Sequence, residues 1–351
     1  MKPYPTEQSG ISESHSENLY DGEIAEEDLW FLPGPTGDEQ DYLPPLPRAE
    51  ADERAQIAAW ELAQGEQAAH LAHVSARFGA LDERLRRSPE GWRHRLALIE
   101  ASELSWLTGR RIPTDRLGLW HAMRISAASD DTSTLQRATW AFRRLVGGPG
   151  PEPDLAGFLG RREIPGQDLL SEKIATWNAI MSAAGTLHPI VRAGFAFHLW
   201  PLSGIGIEGN RLEGAVVAGR MSASDGQGGI LFVPMVMGGA GTLRGGGDPA
   251  ERLRNWLKAA EQGLVRAMRH IDRLECWETT AKDRTARLSG RTPPRLIEVF
   301  CSWPLVTAPM AEKLTGASRA AIQRNLAWLE AQGLVKEITG QGRFRVWRAM
   351  M

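Results

Sequence analysis

Between Thr292 and Met351, helix openers, helix stoppers and apolar spacings follow one another in an order that few folds accommodate. Pro293-Pro294 opens a helix, since proline has no amide hydrogen to leave unpaired in a first turn, and Leu296, Ile297, Phe300 and Trp303 then recur at helical spacing until Pro304. Thr307 is a good N-cap with Pro309 just inside, which predicts a short second helix from Ala308 to Leu314 with Met310, Ala311 and Leu314 facing inward. Thr315-Gly316-Ala317 breaks it, and Ser318 caps a third helix on which Ile322, Leu326 and Leu329 form one apolar stripe before Gly333. Two helices joined by a tight glycine-containing turn make a helix-turn-helix.

Past that turn, Leu334–Ile338 and Arg343–Trp347 alternate apolar and polar residues on either side of Thr339-Gly340-Gln341-Gly342. This predicts a β-hairpin, the wing of a winged helix. At about 100° per residue, Ala320, Arg324 and Ala327 fall opposite the apolar stripe, with Arg319 and Gln323 on the flank near the helix start. Small residues beside Arg and Gln suit a helix that enters a major groove. From Arg284 onward there are eleven basic and four acidic residues, an excess of seven positive charges of the kind phosphate binding requires. The DNA-binding set is therefore Thr307, Ser318, Arg319, Ala320, Gln323, Arg324, Lys336, Arg343 and Arg345. A winged helix that docks protein instead is the alternative reading of the same pattern.

The run from Pro304-Leu305-Val306-Thr307 through Gly340-Gln341-Gly342-Arg343-Phe344-Arg345-Val346-Trp347 carries a resemblance. With Leu81–Pro89 and Leu104-Ser105-Trp106-Leu107 upstream, it resembles a family of rhizobial replicon-borne proteins that carry a C-terminal helix-turn-helix DNA-binding domain. The likeness spans most of the chain beyond about residue 50 by pattern order. It implies a DNA-associated protein and supplies no catalytic residues.

The remainder places charge at opposite ends. Residues 1–56 hold fourteen acidic side chains against Lys2, Arg48 and Arg54, while the net charge of the whole is −2. Residues 1–48 are rich in Ser, Glu, Gly and Pro, including Pro33-Gly34-Pro35 and Pro44-Pro45-Leu46-Pro47, and are expected to form a disordered acidic arm. Such an arm solvates the chain, or it competes with DNA for the basic end. Leu29-Trp30-Phe31-Leu32 within it is read as docking on the fold rather than on a partner. Cys276 and Cys301, the two cysteines, lie far apart and give neither a disulfide framework nor metal-ligand spacing. With no secretory pattern at the start and no apolar run of membrane length, the expected location is cytoplasmic, without membrane contact.

Helical composition runs from Ala49 to about Arg87, restarts at Ser88-Pro89, and recurs over Leu117–Ile125 and Thr134–Val146 before the breaker Gly147-Gly148-Pro149-Gly150-Pro151. This bounds a helical N-terminal domain, 49–148. A helical middle domain, 154–290, follows, with helices over Gly166–Ala184 and His188–Trp200, a Gly-rich loop region (203–247) and a long helix (249–288). Within the loop region, Gly204-Ile205-Gly206-Ile207-Glu208-Gly209 fits G-x-G-x-x-G but follows a helix, so the strand context of a dinucleotide site is missing. His188-Pro189-Ile190-Val191-Arg192-Ala193 followed by Glu208-Gly209-Asn210 resembles the helix and loop of Fic-type nucleotidyl transferases. Aligned on Glu208-Gly209-Asn210, the catalytic histidine falls on Gly204, so the general base is absent. Gly209, Asn210 and Arg211 remain a candidate phosphate cradle, and no catalytic residue, metal or cofactor is assigned.

Gly229–Gly238 is too short to span a bilayer and is read as a buried strand or core segment. Asp248 and Pro249 then start the longest helix, along which Leu253, Leu257, Ala260, Leu264, Ala267, Ile271 and Leu274 alternate by four and three. This heptad seam fits a homodimer through residues 253–274 and fits packing within one chain equally well. The fold class expected is mainly α, multi-helical, with a C-terminal winged helix-turn-helix. The expected function is DNA binding in a regulatory or replicon-associated role, the alternatives being a degenerate Fic-like fold without catalysis or a protein-interaction scaffold.

Overall fold

A computed structural model describes residues 49–124, 131–161, 168–206, 211–237, 239, 243, 246–340 and 345–351, with the backbone alone at 49–51 and 168. Ala49–Met351 forms one compact unit. The acidic segment and its Leu29–Leu32 cluster lie outside the described residues. In chain order the helices are α1 (Ala49–Glu66), α2 (Ala68–Arg86), α3 (Glu90–Leu104), α4 (Thr114–Met123), α5 (Thr132–Val146), α6 (Leu155–Leu159), α7 (Asp168–Ala183), α8 (Pro189–Ser203), α9 (Arg211–Met221), α10 (Pro249–Thr285), α11 (Thr292–Ser302), α12 (Ala308–Thr315) and α13 (Arg319–Ala331). The strands are β1 (Val306–Thr307), β2 (Val335–Glu337) and β3 (Val346–Ala349). The fold is mainly helical, as the patterning predicts.

The organising axis is α10. Asp248 caps it by accepting from the Glu251 amide, and Pro249 occupies the first turn. Helices α1 and α2 replace the single rod expected over 49–87. The backbone bends at Gln67, yet the Gln67 amide still bonds Ala63 O and the Leu71 amide bonds Gln67 O, so the interruption is a kink. His70 meets Glu261, and Arg84 meets Asp272 and Glu275, so α2 runs alongside α10 in the same direction.

This packing decides the fate of the heptad seam. Leu253, Leu257, Ala260, Leu264, Ala267, Ile271 and Leu274 are all completely buried inside one chain, where α1, α2, α3, α8 and α11 pack on α10. The seam thus holds the monomer together and is not free to receive a second copy. Burying each leucine contributes roughly 1.5–3 kcal/mol.

The glycine tract is not all loop. It contains α9, every residue of which from Leu212 to Met221 is buried, and Gly214 is required there because a Cβ would lie 2.5 Å from Cγ of Trp200 on α8. Close helix approach, rather than flexibility, explains that glycine. The segment after α9 is a core segment without strand pairing: Ile230, Phe232, Val233, Met235 and Val236 are buried in irregular backbone. Buried carboxylates on the body take over the role of a sheet partner. Asp82 accepts from the Gln227 and Ile230 amides, and Glu100 Oε1 accepts from Met235 N at 2.7 Å and Val236 N at 3.1 Å. Burial pushes the Glu100 carboxyl up to about 7, against the pull of those amide donors.

Candidate nucleic-acid interface

The C-terminal helices are built on the body. Helix α11 lies against α3 and α10 closely enough that a Cβ at Gly91 would meet Ser302 Oγ at 2.2 Å. Arg95, buried on α3, donates from Nη1 to Phe300 O at 2.9 Å and from Nε to His270 Nε2 at 3.2 Å. His270 must be neutral to accept, and burial followed by the charge of Arg95 holds it down to about 3. Trp303, just past α11, is gripped by two imidazoles: His94 meets it edge-on at 4.4 Å and His121 stacks on it at 5.8 Å. Burial lowers both histidines, His121 to about 4. From α10, Trp277 Nε1 donates to Leu334 O at 2.8 Å and Arg284 donates to Gln332 O, which fixes the far end of the module.

Within the module, local chemistry sets each element. Thr307 Oγ1 accepts from the Met310 amide, Gly316 takes the left-handed turn at φ 68°, and Ser318 Oγ accepts from the Ala321 amide. Helix α12 turns Met310, Ala311 and Thr315 inward, while Leu314 is 46% exposed. The inward expectation for Leu314 is thereby corrected: the helix runs one residue further and Thr315 takes the buried position, donating to Ala311 O and accepting from the Ala317 amide. On α13, Ile322, Leu326 and Leu329 are fully buried, and Arg319, Ala320, Gln323, Arg324 and Ala327 are exposed on the other side.

The sheet has the order β1-β3-β2, antiparallel throughout. Strand β1 has no counterpart in the sequence reading, because two residues give no alternation to detect; it pairs Val306 with Trp347 and Thr307 with Val346. The second hairpin strand starts at Val346, and in the register Lys336 stands opposite Arg348, both exposed. Arg348 is absent from the set expected from the sequence, since the pairing that sets it beside Lys336 is not visible without the register. Glu330 is absent from it as well. Its carboxylate, near the end of α13, accepts from the Glu337 amide at 3.1 Å, Trp347 Nε1 at 3.3 Å and Arg345 Nη2 at 3.4 Å, clamping the hairpin to the helix. Glu337 holds the turn by accepting from the Thr339 hydroxyl and from the Thr339 and Gly340 amides, and these bonds, the hydroxyl's first, lower its carboxyl.

The predicted contact residues thus fall in different places. Ser318, Arg319, Ala320, Gln323 and Arg324 share the start and outer face of α13, and Lys336 and Arg345 lie exposed on the hairpin. Arg319 also pairs with Glu312 at 3.1 Å, and Arg345 lies over the Trp347 ring at 4.9 Å. Thr307 is buried with its hydroxyl engaged in capping. Arg343 lies outside the described residues, as do Gly209 and Asn210 of the phosphate cradle. Arg211 opens α9 with its guanidinium 4.8 Å above the Phe197 ring, and Gly204 ends α8 in the left-handed region at φ 61°. Nearby, His198 is packed against Trp60 and Phe197, and burial with the charges of Arg252 and Arg211 lowers it to about 4.

Among the described residues no helix is long and apolar enough to cross a membrane. A comparison with curated proteins finds no match to the chain. Residues 293–350, from α11 through the hairpin, match the family model described as HTH DNA binding domain. The chain carries, at its C-terminal end and seated on a helical body, a helix-turn-helix DNA-binding domain.

Proposed function

We propose that this domain acts as a winged helix on duplex DNA, in a regulatory or replicon-associated role. The observation that carries the reading is the division of α13: its apolar stripe is wholly buried while Arg319, Ala320, Gln323 and Arg324 stand exposed together. The first turns of such a helix enter the major groove, where Arg and Gln reach base edges and alanine allows close approach. Lys336 and Arg348 support the wing assignment. Like charges directly opposite on a strand pair repel, and a phosphate placed between them offsets that repulsion by attracting both. Because the 253–274 seam is filled within one chain, the reading requires no pairing of copies through it. Mobility shift of the purified chain on DNA from its own upstream region tests the proposal. Retarded complexes that resist excess unrelated duplex are expected, and equal competition by unrelated duplex would rule out a sequence-reading role.

A further inference from the structure

A cleft of about 750 Å³ between α4 and α5 is lined by Trp120, Arg124, Gln136, Thr139, Trp140, Arg143 and Arg144. Its lining is rich in donors and, among the described residues, has no carboxylate. Three polar atoms there are buried and unpaired: Thr139 Oγ1, Trp120 Nε1 and Trp140 Nε1. Thr139 is only 3% exposed and its hydroxyl has essentially no accessible surface, so it stands behind the cleft wall. Arg144 is partly engaged, donating to Gly157 O and lying over the Phe158 ring, and Arg124 sits 5.4 Å over the Trp120 ring. Arg124 takes a left-handed backbone at φ 58°, a conformation a non-glycine residue seldom adopts, and one that places its side chain at the cleft edge.

We infer that this cleft binds a small organic phosphate with a planar body, the chemistry of a nucleotide. The guanidiniums and the Gln136 amide supply donors to phosphate oxygens, and the two indoles supply apolar walls for a flat ring. The shared chemistry comes from two sources, a free mononucleotide or a nucleotide unit of a single strand. Binding itself does not rest on the DNA reading. Its consequence does: His121 follows Trp120 and stacks on Trp303 at the root of the helix-turn-helix, so a ligand held against Trp120 sits one residue from the contact that seats the DNA-binding domain.

Isothermal titration of the full chain, without DNA, with inorganic phosphate, AMP, GTP and a short single-stranded oligonucleotide tests the assignment. At least one nucleotide is expected to bind more tightly than inorganic phosphate. The combined substitution Arg124→Ala and Arg143→Ala should weaken it by about tenfold or more. Arg137→Ala removes the same charge from the same helix but from outside the cleft, and should leave affinity within about threefold. Preference for AMP or GTP assigns a free nucleotide, and preference for the oligonucleotide assigns a single strand. Absence of binding by every probe, equal affinity for inorganic phosphate, or indifference to the Arg124 and Arg143 pair would overturn the site, whatever the outcome on duplex DNA.

Discussion

Under the proposed function, Arg324 and Arg348 represent two ways a cation serves a DNA interface. Arg324 projects from the outer face of α13, so Arg324→Ala is expected to weaken specific binding by about 1–3 kcal/mol while affinity for unrelated duplex changes little. Arg348, paired across the strands with Lys336, is expected under the proposed function to contact phosphate. Arg348→Ala should weaken all sequences alike and reduce the slope of log affinity against log salt by about 1. Anisotropy titrations of both variants, on specific and unrelated duplexes at several salt concentrations, separate the classes. A sequence-selective loss at Arg348 with an unchanged slope would contradict its assignment.

At the level of elements, Glu330 is the link between the helix and hairpin, since one carboxylate accepts from a backbone amide, an indole and a guanidinium. Glu330→Ala is expected to lower DNA affinity through the misplaced hairpin while the α13 stripe keeps the domain folded, as read by binding beside circular dichroism. The long α10 carries a second expectation: Leu264→Ala should cost about 2–5 kcal/mol of stability, with a melting temperature independent of protein concentration. Concentration dependence would place a second copy on the seam after all. Caps and turns at Thr307, Gly316, Ser318 and Gly333 were legible because their chemistry is local. What was not legible depends on neighbours far along the chain. Helix α9 reads as loop until Trp200 explains Gly214, the seam fits two partners until α1, α2 and α8 fill it, and β1 exists only because β3 is there to pair.

Taken as a whole, the molecule is a helical body whose buried imidazoles join its parts and whose charge is divided between its ends. His121 and His198 are lowered to about 4 and His270 to about 3, each first by burial. A histidine with a depressed folded pKa stabilises fully above its unfolded value of 6.5, and that contribution is lost as pH falls toward the folded value. Glu100, raised to about 7, acts oppositely as pH rises from 4.5, but three imidazoles outweigh one carboxyl. The melting temperature should therefore climb between pH 4.5 and 6.5; a flat or falling profile would refute the neutral histidine packing. The charge asymmetry gives a separate expectation, since residues 1–47 carry eleven acidic side chains against Lys2. If they compete with phosphate for the basic domain, their removal tightens DNA binding, and more so at low salt, because the Debye length falls from about 30 Å at 0.01 M to about 8 Å at 0.15 M. Identical affinity with and without them at every salt would leave them a solubilising segment only. The most direct test of the central claim is duplex affinity of the full chain against a variant with Arg319, Gln323 and Arg324 all replaced by alanine. The account predicts that specific binding disappears while the folded body and its thermal transition persist; unchanged specific affinity would show that α13 is not the reading helix.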